Sequence, residues 1–130
     1  MISPVKILLV DDEPSIIKMV GKRLEFAGYQ VVAAMDGQEA LEKAQSELPD
    51  LIILDLMLPK LNGYSVCATL RRDPRFQKTP IMMLTARVQE KDEQLGMACG
   101  ANVYVRKPFK GPELVDRVKE LLGQKSSATS

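Results

Sequence analysis

The stretch Leu51-Ile52-Ile53-Leu54-Asp55-Leu56-Met57-Leu58-Pro59 decides how this chain is read. Apart from Asp55, residues 51–56 are apolar at every position. A strand with one wet face would alternate, so this run suits a strand covered on both faces. Asp55 closes the run, and a carboxylate in such a place needs a partner. Working outward, the same pattern recurs. Residues 5–10 (VKILLV) are a second apolar run, followed at once by Asp11, Asp12 and Glu13. Residues 29–34, 80–85 and 102–106 supply three more short runs, the last two ending beside Thr85 and Lys107.

The segments between these runs change period. Ile16, Ile17, Val20, Leu24 and Ala27 have helical spacing over 14–27, with Pro14 suited to a first turn and Gly28 to the stop. Asp36 is a candidate cap for a helix whose apolar face is Ala40, Leu41, Ala44 and Leu48, broken by Pro49-Asp50. Residues 59–63 read as a loop, 64–72 as a helix, 73–79 as a longer connection, 89–99 as a helix ended by Gly100, and 112–122 as a last helix stopped by Gly123. Five strands alternating with five helices predict an α/β fold, a single doubly wound (βα)5 domain with a five-stranded parallel sheet. Right-handed crossovers and the common strand order 2-1-3-4-5 place a crevice at the carboxyl ends of strands 1 and 3. The domain is expected over residues 1–123, and the polar segment 124–130 reads as a frayed tail.

Composition narrows the function classes. The 130 residues are 45% hydrophobic and 27% charged, which argues against disorder and suits one domain. A net charge of +1 provides no field toward nucleic acid or a membrane. The basic residues are scattered except for Arg71, Arg72 and Arg75, which read as a solvated helix end. Cys67 and Cys99 have no metal-type spacing and read as reduced thiols. No run has the length of a membrane span or the form of a signal peptide, so a cytoplasmic protein with no membrane insertion is expected.

The polar residues converge once the strands are placed. Asp11 and Asp12 follow strand 1, Asp55 ends strand 3, Thr85 ends strand 4 and Lys107 follows strand 5. Adjacent strands lie about 5 Å apart, so Asp11, Asp12 and Asp55 form an acidic cluster, and Lys107 crosses roughly 10 Å to reach Asp55. Crowded carboxylates raise their own proton affinity unless a cation compensates. An oxygen-only donor set with no histidine in the chain suits magnesium, and not zinc. Such a site is arranged for phosphoryl transfer, with Asp55 as nucleophile, Lys107 and the metal neutralising phosphoryl oxygens and the Thr85 hydroxyl bonding one of them. Taken singly the residues say less. An acidic pair after a strand equally suits a solvated loop, and threonine is common at strand ends.

The motifs LLVDDEP (8–14), LIILDLMLP (51–59), MLTA (83–86) and VRKPF (105–109) resemble, in order and spacing, the receiver domain of two-component response regulators, over residues 5–122 or so. The resemblance implies a flavodoxin-like, CheY-like fold and a phosphorylation-activated switch. Asp55 would accept phosphate from a sensor histidine kinase or a histidine phosphotransfer protein. Asp12, Asp55 and the main-chain oxygen of Met57 would hold magnesium, or manganese in its place, with Asp11 acting through water. Thr85 and Tyr104 would form the switch pair, Lys107 would contact the phosphate, and the Lys107-Pro108 peptide would be cis. The output is expected on the face of helix 4, strand 5 and helix 5, directed to an unknown partner protein, with no direct nucleic-acid binding and with a monomer or a phosphorylation-dependent dimer as the working state. The protein would be a phosphoacceptor that assists its own phosphorylation and dephosphorylation, and not an enzyme.

Some positions depart from common members. Asn102 and Val103 stand where many transcription-factor receivers carry two acids, so the acidic partners for Arg117 in a charged dimer contact are missing. Met57 and Arg87 hold positions that tune phosphate lifetime in the family. Three rivals stand beside this reading. A magnesium-dependent phosphatase with an aspartate nucleophile needs a second acid where Met57 stands. A flavin module needs a phosphate-cradling loop where Asp11-Asp12-Glu13 would repel one. A receiver-fold binding module independent of phosphorylation needs none of these residues. With no output domain after Leu122, the chain reads as a stand-alone receiver or as part of a longer protein.

Overall fold

Five parallel strands form one sheet in the order β2-β1-β3-β4-β5, built from β1 (Lys6–Val10), β2 (Gln30–Ala34), β3 (Leu51–Asp55), β4 (Ile81–Thr85) and β5 (Val103–Arg106). The computed structural model describes residues 4–85 and 100–123. The helix expected over 89–99, with Arg87, Val88, Leu95 and Cys99, lies outside the described residues, as does the segment 124–130. The strand order is the expected one, and it sets β1 and β3 side by side in register, with Val10 opposite Leu54.

The apolar runs are explained by what covers them. Alternate side chains of a strand point to opposite faces. Leu8, Val10, Ile52, Leu54, Ile81 and Met83 enter a core under α2 (Gly37–Glu47) and α3 (Gly63–Arg71). Ile7, Leu9, Leu51, Ile53, Met82 and Leu84 enter a second core under α1 (Pro14–Phe26) and the C-terminal helix (Gly111–Leu121). All twelve are completely buried. With no wet face on the central strands, no position there has reason to be polar until the carboxyl ends are reached.

Local signals fix the helix ends. Pro14 lies in the first turn of α1, and Gly28 follows it at φ 100°, where a side chain would be strained. The Asp36 carboxylate accepts the Glu39 N–H at 2.7 Å and caps α2. The connection over 73–79 holds a short 3-10 turn, Pro74–Phe76. The arginine cluster is not the solvated helix end that the sequence suggests. Arg71 donates to the carbonyls of Gly100 (2.9 Å), Phe76 (2.6 Å) and Thr79 (2.7 Å) and to the Asn102 side chain (2.7 Å). Arg75, itself exposed, pairs with Asp73 at 2.8 Å, and Arg72 is exposed with no ion pair among the described residues. Among the described residues no helix is long and apolar enough to cross a membrane.

Candidate functional site

The strands deliver their polar ends to one rim. β1 ends at Val10, so Asp11 and Asp12 stand on the turn into α1. Asp55 is the last residue of β3 and is 4% exposed, while Asp11 is fully buried and Asp12 is exposed. One carboxylate oxygen from each of the three lies within 4.8 Å of the others. Such crowding of like charge is stable only with compensation, and in this structure the compensation is Lys107. Its Nζ donates to Asp11 Oδ2 at 2.8 Å, to Glu13 Oε1 at 3.3 Å and to Asp55 Oδ2 at 3.4 Å.

Two features here were not legible in the sequence. Lys107 reaches Asp55, as expected, but its shortest bond is to Asp11. Glu13 joins the cluster as a third carboxylate on the same ammonium, a role that its place in an acidic loop only hinted at. The turn holding these groups is itself fixed by carboxylates: Asp11 Oδ1 accepts the Glu13 N–H at 2.9 Å, and Asp55 Oδ1 accepts the Met57 N–H at 3.2 Å. On the far side of Asp55, α3 begins so close that a Cβ on Gly63 would lie 2.5 Å from the Asp55 carbonyl oxygen. A side chain at Gly63 would displace the backbone that carries the nucleophile candidate.

Electrostatics follow from this packing. Burial, and next the charge of Asp11, push the Asp55 carboxyl up to about 6, and Lys107 and the Met57 N–H only partly offset them. For Lys107, burial works against the charge, but the Asp11 hydrogen bond and the charges of Asp55 and Asp11 outweigh it and hold the ammonium above the usual lysine range. The carboxylates outnumber the ammonium groups, so the rim retains negative charge. The donors are all oxygen, and one edge of the cluster, Asp12, faces solvent. Those properties suit a hard divalent cation that keeps waters and takes one or two carboxylates.

The remaining residues named from the sequence lie on β4, along β5 and at both of its ends, and in the loop after β3. Thr85 ends β4, is fully buried, and by strand alternation shares the face of Ile81 and Met83. Tyr104 pairs in register with Met83 and packs, half-buried, against that same core. Among the described residues its buried hydroxyl has no hydrogen-bond partner. The Lys107-Pro108 peptide is cis. Met57 is 53% exposed. Asn102 accepts the Ile81 N–H at 2.8 Å as well as the Arg71 bond, so the position that lacks an acid is occupied in holding β5 to β4.

Comparison with known proteins agrees with this geometry. Residues 7–119 match the family described as response regulator receiver domain. The chain is 51% identical over 117 residues to the alkaline phosphatase synthesis transcriptional regulatory protein PhoP of Bacillus subtilis (strain 168), covering 90% of this chain and 48% of that protein. It thus spans about half the length of the curated relatives it matches. Among solved structures, the chemotaxis response regulator CheY4 of Vibrio cholerae superposes with a TM-score of 0.87 at 38% identity, over 92% of this chain and 99% of that one. The receiver domain of a sensor histidine kinase from Pseudomonas aeruginosa superposes with a TM-score of 0.86 at 33% identity, over 93% and 99%, and that structure has a magnesium ion coordinated in its active-site cleft.

Proposed function

The chain belongs to the response regulator receiver domain family, and from that premise we propose that Asp55 is its phosphoacceptor and that phosphorylation switches its surface. The observation that carries this reading is the Asp55 carboxylate itself. It is buried beside Asp11, its proton affinity is raised, and its counter-charge is a lysine from a strand two places away.

In the proposed reaction Asp55 attacks the phosphorus of a phosphohistidine on a sensor kinase or phosphotransfer protein. The new bond joins the carboxylate oxygen to phosphorus, and the bond from phosphorus to the donor nitrogen breaks. Asp11, Asp12 and Asp55, with the main-chain oxygen of Met57, would hold magnesium, which when bound supplies positive charge against the phosphoryl oxygens. Asp55 is mostly ionised above about pH 6, so the nucleophile is ready at neutral pH. Lys107 is already charged and within reach, and it neutralises a second phosphoryl oxygen. Once a phosphoryl group draws Lys107 from Asp11 and Glu13, the three-way contact at the rim is broken.

Thr85 and Tyr104 then carry the change outward. A hydroxyl bond from Thr85 to the new phosphoryl oxygen vacates space on the face that Tyr104 already packs against. The output surface in this reading is the face of β5, the C-terminal helix and the helix expected over 89–99.

The test is an amide NMR comparison in magnesium with beryllofluoride or acetyl phosphate, beside an Asp55→Asn variant. Magnesium-dependent shifts at Thr85, Tyr104 and Lys107 are expected in the wild type alone. Silence in folded wild type, or an equal response from the variant, sinks the assignment and favours a binding module that works without phosphorylation.

A further inference from the structure

Phe26 is the last residue of α1 and is 96% exposed, whereas the next most exposed large apolar side chain among the described residues, Leu48, is at 55%. It is not isolated. Phe26 and Ala27 form one wall of a groove of about 590 Å³, and Pro112 and Val115 of the C-terminal helix form the other. The rim is charged and mostly of one sign: Lys22, Arg23 and Lys119 line it against a single acid, Asp116. Among the described residues none of these three cations is in an ion pair, although six other pairs are made. An apolar floor with an aromatic at its edge and a rim of unpaired cations has the form of a helix-binding groove with its own charge preference.

We propose that the groove between α1 and the C-terminal helix docks an acidic amphipathic helix of a separate protein, with Phe26 as the aromatic anchor. Charge selects the occupant. A second copy placed face to face would set Lys22, Arg23 and Lys119 against their own counterparts. A segment with aliphatic residues on one face and glutamates or aspartates beside them satisfies both floor and rim.

Position separates this docking from phosphorylation. α1 starts at Pro14, next to Asp11 and Asp12, and runs 13 residues, so Phe26 lies about 20 Å along the helix from the rim. The groove is therefore at the amino end of the sheet and uses none of Asp11, Asp12, Asp55, Thr85 or Lys107. Binding there is independent of the phosphoacceptor assignment, and a partner held in it leaves the rim open.

The test titrates labelled protein with a synthetic helical peptide carrying leucines at i, i+3, i+4 and i+7 and glutamates on the flanks, and with the same peptide bearing lysines instead. Amide shifts confined to the two helices around Lys22–Ala27 and Pro112–Lys119 are expected with the acidic peptide only, weakening as salt is raised and unchanged by beryllofluoride. Phe26→Ser, at a site too exposed to threaten folding, and Lys22→Glu with Lys119→Glu should each weaken binding about tenfold or more. No shifts at millimolar acidic peptide, equal binding of the lysine peptide, shifts mapping elsewhere, or a Phe26-dependent dimer in sedimentation would each overturn the proposal, the last in favour of a second copy.

Discussion

At the carboxyl end of β5, Lys107 is shared among Asp11, Glu13 and Asp55. At the amino end, Asn102 and Gly100 meet Arg71, whose other two bonds go to the carbonyls of Phe76 and Thr79. Both ends tie the edge strand to the body of the domain through one cation, but the acceptors differ. Arg71 is satisfied by neutral oxygens, so neither a proton nor a metal ion changes its balance at ordinary pH. Lys107 sits among more carboxylates than it can neutralise, so every added positive charge or phosphoryl group redistributes its bonds. β5 thus has one fixed attachment and one adjustable attachment, and the adjustable one is at the rim.

The contrast is open to breaking. The largest effect is expected from Lys107→Ala, which leaves buried Asp11 and Asp55 without a counter-charge. Without magnesium it should cost about 3 kcal/mol in urea unfolding, and millimolar magnesium should restore a good part of that. Arg71→Ala should cost about 2 kcal/mol, because buried carbonyls lose a donor, and magnesium should return none of it. If both losses respond alike to magnesium, the distinction between the two ends is wrong.

A smaller effect sharpens the same point through pH. The Asp55 carboxyl rises from an ordinary value of 3.8 to about 6 on folding. Between those values the native state holds more protons than the unfolded chain, so stability falls as pH rises through that window. In EDTA the loss from pH 4 to above pH 6 should be about 1–2 kcal/mol after screening. Asp55→Asn should lack this component, read as the difference between the two proteins' Tm profiles. A wild-type profile parallel to the variant's would remove Asp55 as its source.

These two ends also show what a sequence exposes. The strands were legible because both faces are covered, which forces runs such as Ile7 to Val10 and Leu51 to Leu54 to be apolar throughout. Asp55 and the Asp11-Asp12 pair stood out for the same reason, as charges at the limits of such runs. The boundaries shifted by a residue: Asn102, expected in the last strand, precedes it and spends its side chain on Ile81 and Arg71. Arg71 was misread as solvated because its four acceptors come from two separate segments, 76–79 and 100–102, with no common period. Glu13 was passed over for a similar reason, since its meaning depends on a lysine that arrives from the far end of the sequence.

That distance has a consequence for the making of the protein. Lys107 is 96 residues from Asp11 and 52 from Asp55. During synthesis the acidic groups emerge first, and the chain elongates through two more strands before Lys107, the lysine they share, leaves the ribosome. Over the 52 residues that separate Asp55 from Lys107, a growing chain carries Asp55 without the counter-charge that completes the rim. In the proposed reading the rim is completed only when the sheet closes, so a nascent chain short of Lys107 lacks the charge that would meet a phosphoryl group.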